Sequence, residues 1–151
     1  MRHVRVNLIS ALLIALVLMS GTSMAAQEFS SADVKAKTEE IIAAKAKEGG
    51  GVFKFRDERT GDIVPLEFVR VRFIRGIKGH GYFASVDFQV HGEPGALYDI
   101  DFWLKPVEDK LLLQDIKTHR YPKKEGNEWV QVRVDPLPWW CAVAQEHPGE
   151  T

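Results

Sequence analysis

The hydrophobic period of this chain changes once, at Gly49-Gly50-Gly51, and that change limits the fold more than any other feature. Before the glycines, apolar residues recur at helical spacing; after them, they alternate. Ser30 to Glu48 reads as one helix. Ser30 can cap it with Asp33 as reciprocal partner, and Phe29 and Val34 fit a hydrophobic staple. Val34, Thr38, Ile41, Ile42 and Lys45 form a narrow stripe, which predicts a helix lying on a surface and not one buried all round. The glycines end it, because glycine accepts the left-handed conformation at a helix C-terminus.

From Val52 onward the chain reads as strands joined by short turns. Phe53-x-Phe55 opens the series. Val69, Val71 and Phe73 alternate with Arg70 and Arg72. Tyr82, Ala84, Val86, Phe88 and Val90 alternate with Ser85, Asp87 and Gln89. Tyr98, Ile100, Phe102 and Leu104 alternate with Asp99, Asp101 and Trp103. Leu111 to Thr118 and Trp129 to Val134 supply two more. A parity change between Leu66/Phe68 and Val69/Val71, close to Pro65, predicts a bulge. The fold class expected is α+β: one N-terminal helix packed on a curved antiparallel sheet of five or six strands.

Composition enters through what it excludes. The 151 residues are 45% hydrophobic and 27% charged, with net charge −1. Such a chain lacks the positive field of a nucleic-acid binder, so no nucleic-acid partner is expected. A single cysteine, Cys141, excludes a disulfide framework and a Cys-rich zinc site. No His-x-x-x-His or His-x-His spacing appears, so local sequence predicts neither metal nor cofactor.

Residues 1–26 read as a signal peptide, leaving a domain at 27–135 and a Pro/Trp-containing tail at 136–151. Arg2 and Arg5 precede an apolar run from Leu8 to Met19, and small residues follow it, with Ser23 and Ala25 at cleavage spacing. That run of 12 residues is shorter than the ~20 that span a bilayer. Cleavage near Ala25 or Ala26 implies a periplasmic or secreted protein without a membrane span. It also moves the net charge from −1 to about −3. His147 to Thr151 read as a disordered end.

Registering the strands by their apolar residues puts a polar row on the outer face. Val71 opposite Val86 sets Arg70 against Asp87. Phe88 opposite Ile100 sets Asp87 against Asp101, and Ile100 opposite Ile116 sets Asp101 against Asp115. Three neighbouring carboxylates at ~5 Å repel unless compensated. A cation, a retained proton, or a register slip of two in the last hairpin that brings Lys117 to Asp101 would each compensate them. Asp87, Asp101 and Asp115 are therefore the candidates for a cation-dependent or acid–base enzyme. No nucleophile–base motif accompanies them, and His80 and His119 read as solvated or strand-end histidines. Arg70, Arg72, Asp87, Asp99, Asp101 and Trp103, with Trp139 and Trp140, are the candidates for a binding surface. The tryptophans of Pro136-Leu137-Pro138-Trp139-Trp140 either stand exposed or fold back over the core.

One helix followed by antiparallel hairpins resembles the cystatin-like and NTF2-like small α+β domains. Cystatin-like inhibitors grip cysteine proteases with a Gln-x-Val-x-Gly hairpin and a Pro-Trp hairpin. The reversal here reads Gly76-Ile77-Lys78-Gly79-His80-Gly81, and Pro138-Trp139 follows the last strand. Tyr98-Asp99-Ile100-Asp101-Phe102-Trp103 is also similar to a stretch of exported bacterial proteins. The function expected first is a non-catalytic binding module for another exported protein or a small ligand. The cation-dependent enzyme and a protease inhibitor follow.

Overall fold

A computed structural model describes residues 28–146, with side chains for residues 28–143. The signal peptide expected at 1–26 and the disordered end expected at 147–151 lie outside the described residues. The first described element, α1 (Ser31–Glu48), starts as its sequence dictates. Ser30 Oγ accepts from the Asp33 backbone at 3.2 Å, and Asp33 Oδ2 accepts from the Ser30 backbone at 2.9 Å. Only Val34, Thr38 and Ile42 of α1 are buried, which is the narrow stripe. Thr38 donates to the Val34 carbonyl, so no polar atom is stranded there. Gly49 is required by proximity: a Cβ there would lie 1.9 Å from the Val52 carbonyl oxygen.

Six strands follow: β1 (Phe53–Arg56), β2 (Ile63–Ile77), β3 (Gly81–Val90), β4 (Leu97–Val107), β5 (Lys110–Glu125) and β6 (Glu128–Arg133). They form one antiparallel sheet in chain order, which makes the fold α+β. β5 continues beyond Thr118 to Glu125, farther than its alternation suggested. Gly81, at φ 130°, opens β3 where a Cβ would lie 2.4 Å from the Leu104 carbonyl oxygen.

The first face carries the main core. Ile42 of α1 belongs to one buried cluster with Phe53, Phe55, Leu66, Val86, Phe88, Ile100 and Phe102. Each such side chain contributes about 1.5–3 kcal/mol through removal from water. The β1–β2 loop is tied to the sheet by polar contacts. Tyr98 donates to Asp57 Oδ2 at 2.8 Å, Arg59 pairs with the same oxygen, and the Arg59 guanidinium lies 3.3 Å above the Tyr121 ring. Burial, reinforced by Asp57, pushes the Tyr98 hydroxyl up to about 12.

The pairings differ in part from those expected. Arg70 faces Asp87 and Val71 faces Val86, as the apolar pattern dictates. A bulge does fall at Val69, and Phe68 faces Phe88. A second irregularity between Val71 and Phe73 sets Phe73 against Ser85. In the next hairpin Phe88 faces Tyr98, not Ile100, and Asp87 faces Asp99. In the last, Asp101 faces Lys117 and Asp115 faces Trp103. The expected row Arg70–Asp87–Asp101–Asp115 is thus replaced by Arg70–Asp87–Asp99 beside Ser85–Asp101–Lys117.

The second face is covered by a short helix, α2 (Trp139–Glu146). Trp140 is buried and stacks on Trp103 with the rings 5.5 Å apart and 7° from parallel. Ile77, Phe83 and Cys141 complete this second core, with Phe73, Leu137 and Val143 packed against it. Residues read as a tail therefore belong to the packed interior. No helix among the described residues is long and apolar enough to cross a membrane.

Candidate functional site

The polar side chains of the second face divide into two linked sets. In the first, Asp87 and Asp99 stand opposite each other on β3 and β4, and two β2 arginines reach them. Arg70 Nε donates to Asp87 Oδ2 at 2.9 Å. Arg72 donates to Asp99 Oδ2 at 2.5 Å and lies 3.8 Å from Asp87 Oδ1. Ser85 donates to Asp99 Oδ1 at 2.6 Å. Burial raises the Asp99 carboxyl above the ordinary aspartate range. The Ser85 hydroxyl and Arg72 guanidinium pull it down, while Asp101 adds to the rise. Arg72 is the cation that makes burial of Asp99 tolerable. Without it the carboxylate stays desolvated and unpaired, a loss of about 3–5 kcal/mol.

The second set centres on Asp101 of β4, which is fully buried. Its Oδ2 accepts from Trp140 Nε1 at 3.1 Å and from the Cys141 thiol at 3.3 Å, and lies 3.1 Å from His119 Nδ1. Cys141 Sγ and His119 Nδ1 are 3.6 Å apart. His119 reaches this point because β5 carries an extra residue between its partners for Asp99 and Ile100. Asp101 Oδ1 is buried with no hydrogen-bond partner, and so is Asp87 Oδ1.

This arrangement is not that of an activated cysteine. One histidine nitrogen, Nδ1, faces both the carboxylate and the thiol, whereas a relay uses one ring nitrogen for each. Burial, reinforced by Asp101, pushes the Cys141 thiol up and away from the reactive thiolate.

An opening lies beside the second core. A groove of about 650 Å³ runs between the β1–β2 loop, β5 and the segment that leads into α2. Arg59, Lys117 and Arg133 line it beside the carboxylates of Glu58, Asp115 and Asp135, and Tyr121, Pro138 and Trp139 supply flat apolar surface. Lys117 is held by Glu58 at 2.6 Å. Arg133 stands across β5–β6 from Arg120, a like-charge pair that a bound anion would relieve.

The residues expected to form an open binding face are therefore distributed differently. Arg70 (side chain 67% exposed) and Trp139 (47%) face solvent. Asp87, Asp99, Asp101, Trp103 and Trp140 are buried, and Arg72 is mostly enclosed. The expectation of a wet outer face fails there because Trp140 and Cys141 fold back over it. Asp87, Asp101 and Asp115 do not converge either: each has a different partner, Arg70, His119 and Lys117 respectively. Sequence reasoning missed His119 and Cys141 as neighbours of Asp101, and Ser85 as a donor to Asp99. Comparisons with protein-family models, curated proteins and solved structures returned no match.

Proposed function

We propose that this is an exported, non-catalytic binding module, and that its ligand site is the groove beside Trp139. The observation that carries the reading is the combination in one opening of an exposed indole, a stiff Pro-Leu-Pro wall and Arg133, while the other two cations of the lining, Arg59 and Lys117, are paired with Asp57 and Glu58. Pockets that hold small molecules are largely apolar with a few placed polar groups, and this groove fits that description. The ligand class is a flat apolar group bearing an anionic substituent. The aromatic part would lie on Trp139 or Tyr121, with the anion toward Arg133. Export rests on the leader-like residues 1–26, and sequencing the N-terminus of the protein recovered from a periplasmic extract tests it. We place the architecture with cystatin-like domains on its element order, a helix followed by an antiparallel meander.

Anilinonaphthalene sulfonate, an aromatic anion, tests the groove. Saturable binding of one equivalent is expected, weakened at least about tenfold by Trp139→Ala and by Arg133→Ala. Far-ultraviolet dichroism should stay unchanged, because both side chains stand at the surface. Equal binding by both variants would remove the groove as the ligand site.

A second reading, protease inhibition, is favoured by one contact. The β2–β3 turn meets the segment that starts α2, with the His80 and Trp139 rings 5.4 Å apart. Inhibition of a papain-type protease, lost in Trp139→Ala, is its test.

A further inference from the structure

We propose that Asp101, His119 and Cys141 form a zinc site that fastens α2 to the sheet, adjoining the groove through Trp140. The three residues come from β4, the β5 bulge and α2, and their ligand atoms all lie within 4.8 Å of one another. The separations are 3.1 Å from Oδ2 to Nδ1, 3.3 Å from Oδ2 to Sγ and 3.6 Å from Sγ to Nδ1. Tetrahedral zinc with ordinary bonds to oxygen, nitrogen and sulfur sets its ligands about 3.3–3.6 Å apart. A triangle with the observed sides has a circumscribed radius of about 1.9 Å, just inside the 2.0–2.3 Å bond lengths. One ion can therefore touch all three atoms with little movement of the side chains.

Chemistry supports the same choice. Carboxylate, imidazole and thiolate are all zinc ligands, and the thiolate disfavours calcium or magnesium. A second, independent observation points to a ligand. Asp101 is wholly buried, yet its donors crowd onto Oδ2 and leave Oδ1 without a partner. A buried carboxylate oxygen left bare is costly. Bidentate coordination would use Oδ1 as the fourth donor. Trp140 Nε1, donating to Oδ2, is placed as an outer-shell group that fixes the carboxylate.

Charge alone does not separate this from the plainer alternative, an imidazolium of His119 paired with Asp101. Asp87, Asp99 and Asp101 outnumber Arg70 and Arg72 by one negative charge. An imidazolium supplies the missing positive charge, and so does zinc bound by a thiolate. Only the ion also gives Asp101 Oδ1 a partner. On binding, Sγ forms a bond to zinc and releases its proton to solvent, and His119 ligates as the neutral tautomer protonated at Nε2.

The test uses reduced protein without a histidine tag, first stripped by a chelator. Titration with zinc against a chromophoric chelator is expected to show one equivalent bound. Cobalt(II) is expected to show a thiolate-to-cobalt charge-transfer band in the near ultraviolet. Cys141→Ser keeps a donor to Asp101; it should abolish the band and weaken zinc at least about 100-fold. His119→Gln should weaken zinc comparably. Trp140→Phe keeps the ring stack and should retain the band while weakening zinc about 10–100-fold. A stripped protein that takes up no zinc, or cobalt that binds without the band, would overturn the proposal. So would Cys141→Ser and His119→Gln variants that bind zinc as tightly as the parent.

Discussion

The two faces of the sheet are built on opposite principles. The face under α1 is mostly apolar: Phe53, Phe88, Ile100 and Phe102 interdigitate, the buried Thr38 hydroxyl bonds within its own helix, and Asp57 accepts from Tyr98 at the edge. The face under α2 joins a tryptophan stack to a row of buried carboxylates. An apolar core tolerates many arrangements of similar volume, whereas a buried polar network holds only when nearly every member is satisfied. The first face therefore supplies bulk stability. The second fixes where one short segment must sit.

The comparison predicts how each face fails. Trp140→Ala should be the most damaging single change, because it empties the centre of the second core and removes a donor from Asp101. A loss of about 4–5 kcal/mol is expected, measured by urea denaturation, together with collapse of the near-ultraviolet dichroism of the stacked indoles. Arg72→Ala should follow at about 3–5 kcal/mol, since Asp99 would stay buried without its cation. Arg72→Ala combined with Asp99→Asn should recover much of that loss. If the double variant is no more stable than the single one, the network is not what holds this face. On the apolar face, Phe102→Leu keeps most of the volume and should cost less than either, about 1–2 kcal/mol.

The smallest effect belongs to the exposed cap of α1. Ser30→Ala should cost about 1 kcal/mol near neutral pH. The Ser30 hydroxyl and backbone hold the Asp33 carboxyl below the ordinary aspartate value. A group lowered in this way stabilises the fold above its unfolded pKa and loses that contribution as pH falls through the folded value. The gap between parent and Ser30→Ala should therefore narrow below about pH 4, measured by thermal melts across the acid range.

The apolar face was legible in the sequence because its signals are local. The capping box, the glycine stop and the period-2 alternation each lie within a few residues of one another. Arg70 against Asp87 followed from the same alternation. The next pairings did not, for a definite reason. A slip of two residues keeps every side chain on its own face, so Phe88 opposite Ile100 and Phe88 opposite Tyr98 satisfy the apolar pattern equally. The turn at Gly92 to Gly95 decides between them, and alternation does not encode that turn. The bulge at Val69 was marked by a parity change, but the extra residue at His119 carried no comparable mark. Asp101, His119 and Cys141 are separated by 18 to 40 positions and meet only through β4, β5 and α2. No spacing motif announces such a meeting. The paired tryptophans left two readings open, and the molecule adopts both: Trp140 turns inward and Trp139 outward.

Every strand pairs with its neighbour in the chain, but the lid on the second face arrives only after the last strand. A polypeptide stopped at Val134 would retain all six strands and yet leave Phe83, Trp103 and Asp101 open to water. Limited proteolysis of such a truncation should find a folded meander, and size-exclusion chromatography should find it self-associated through its bare indole. The closing segment thus acts as a check on completeness, since the second face of the ladder is covered only once Trp140 has been tucked in.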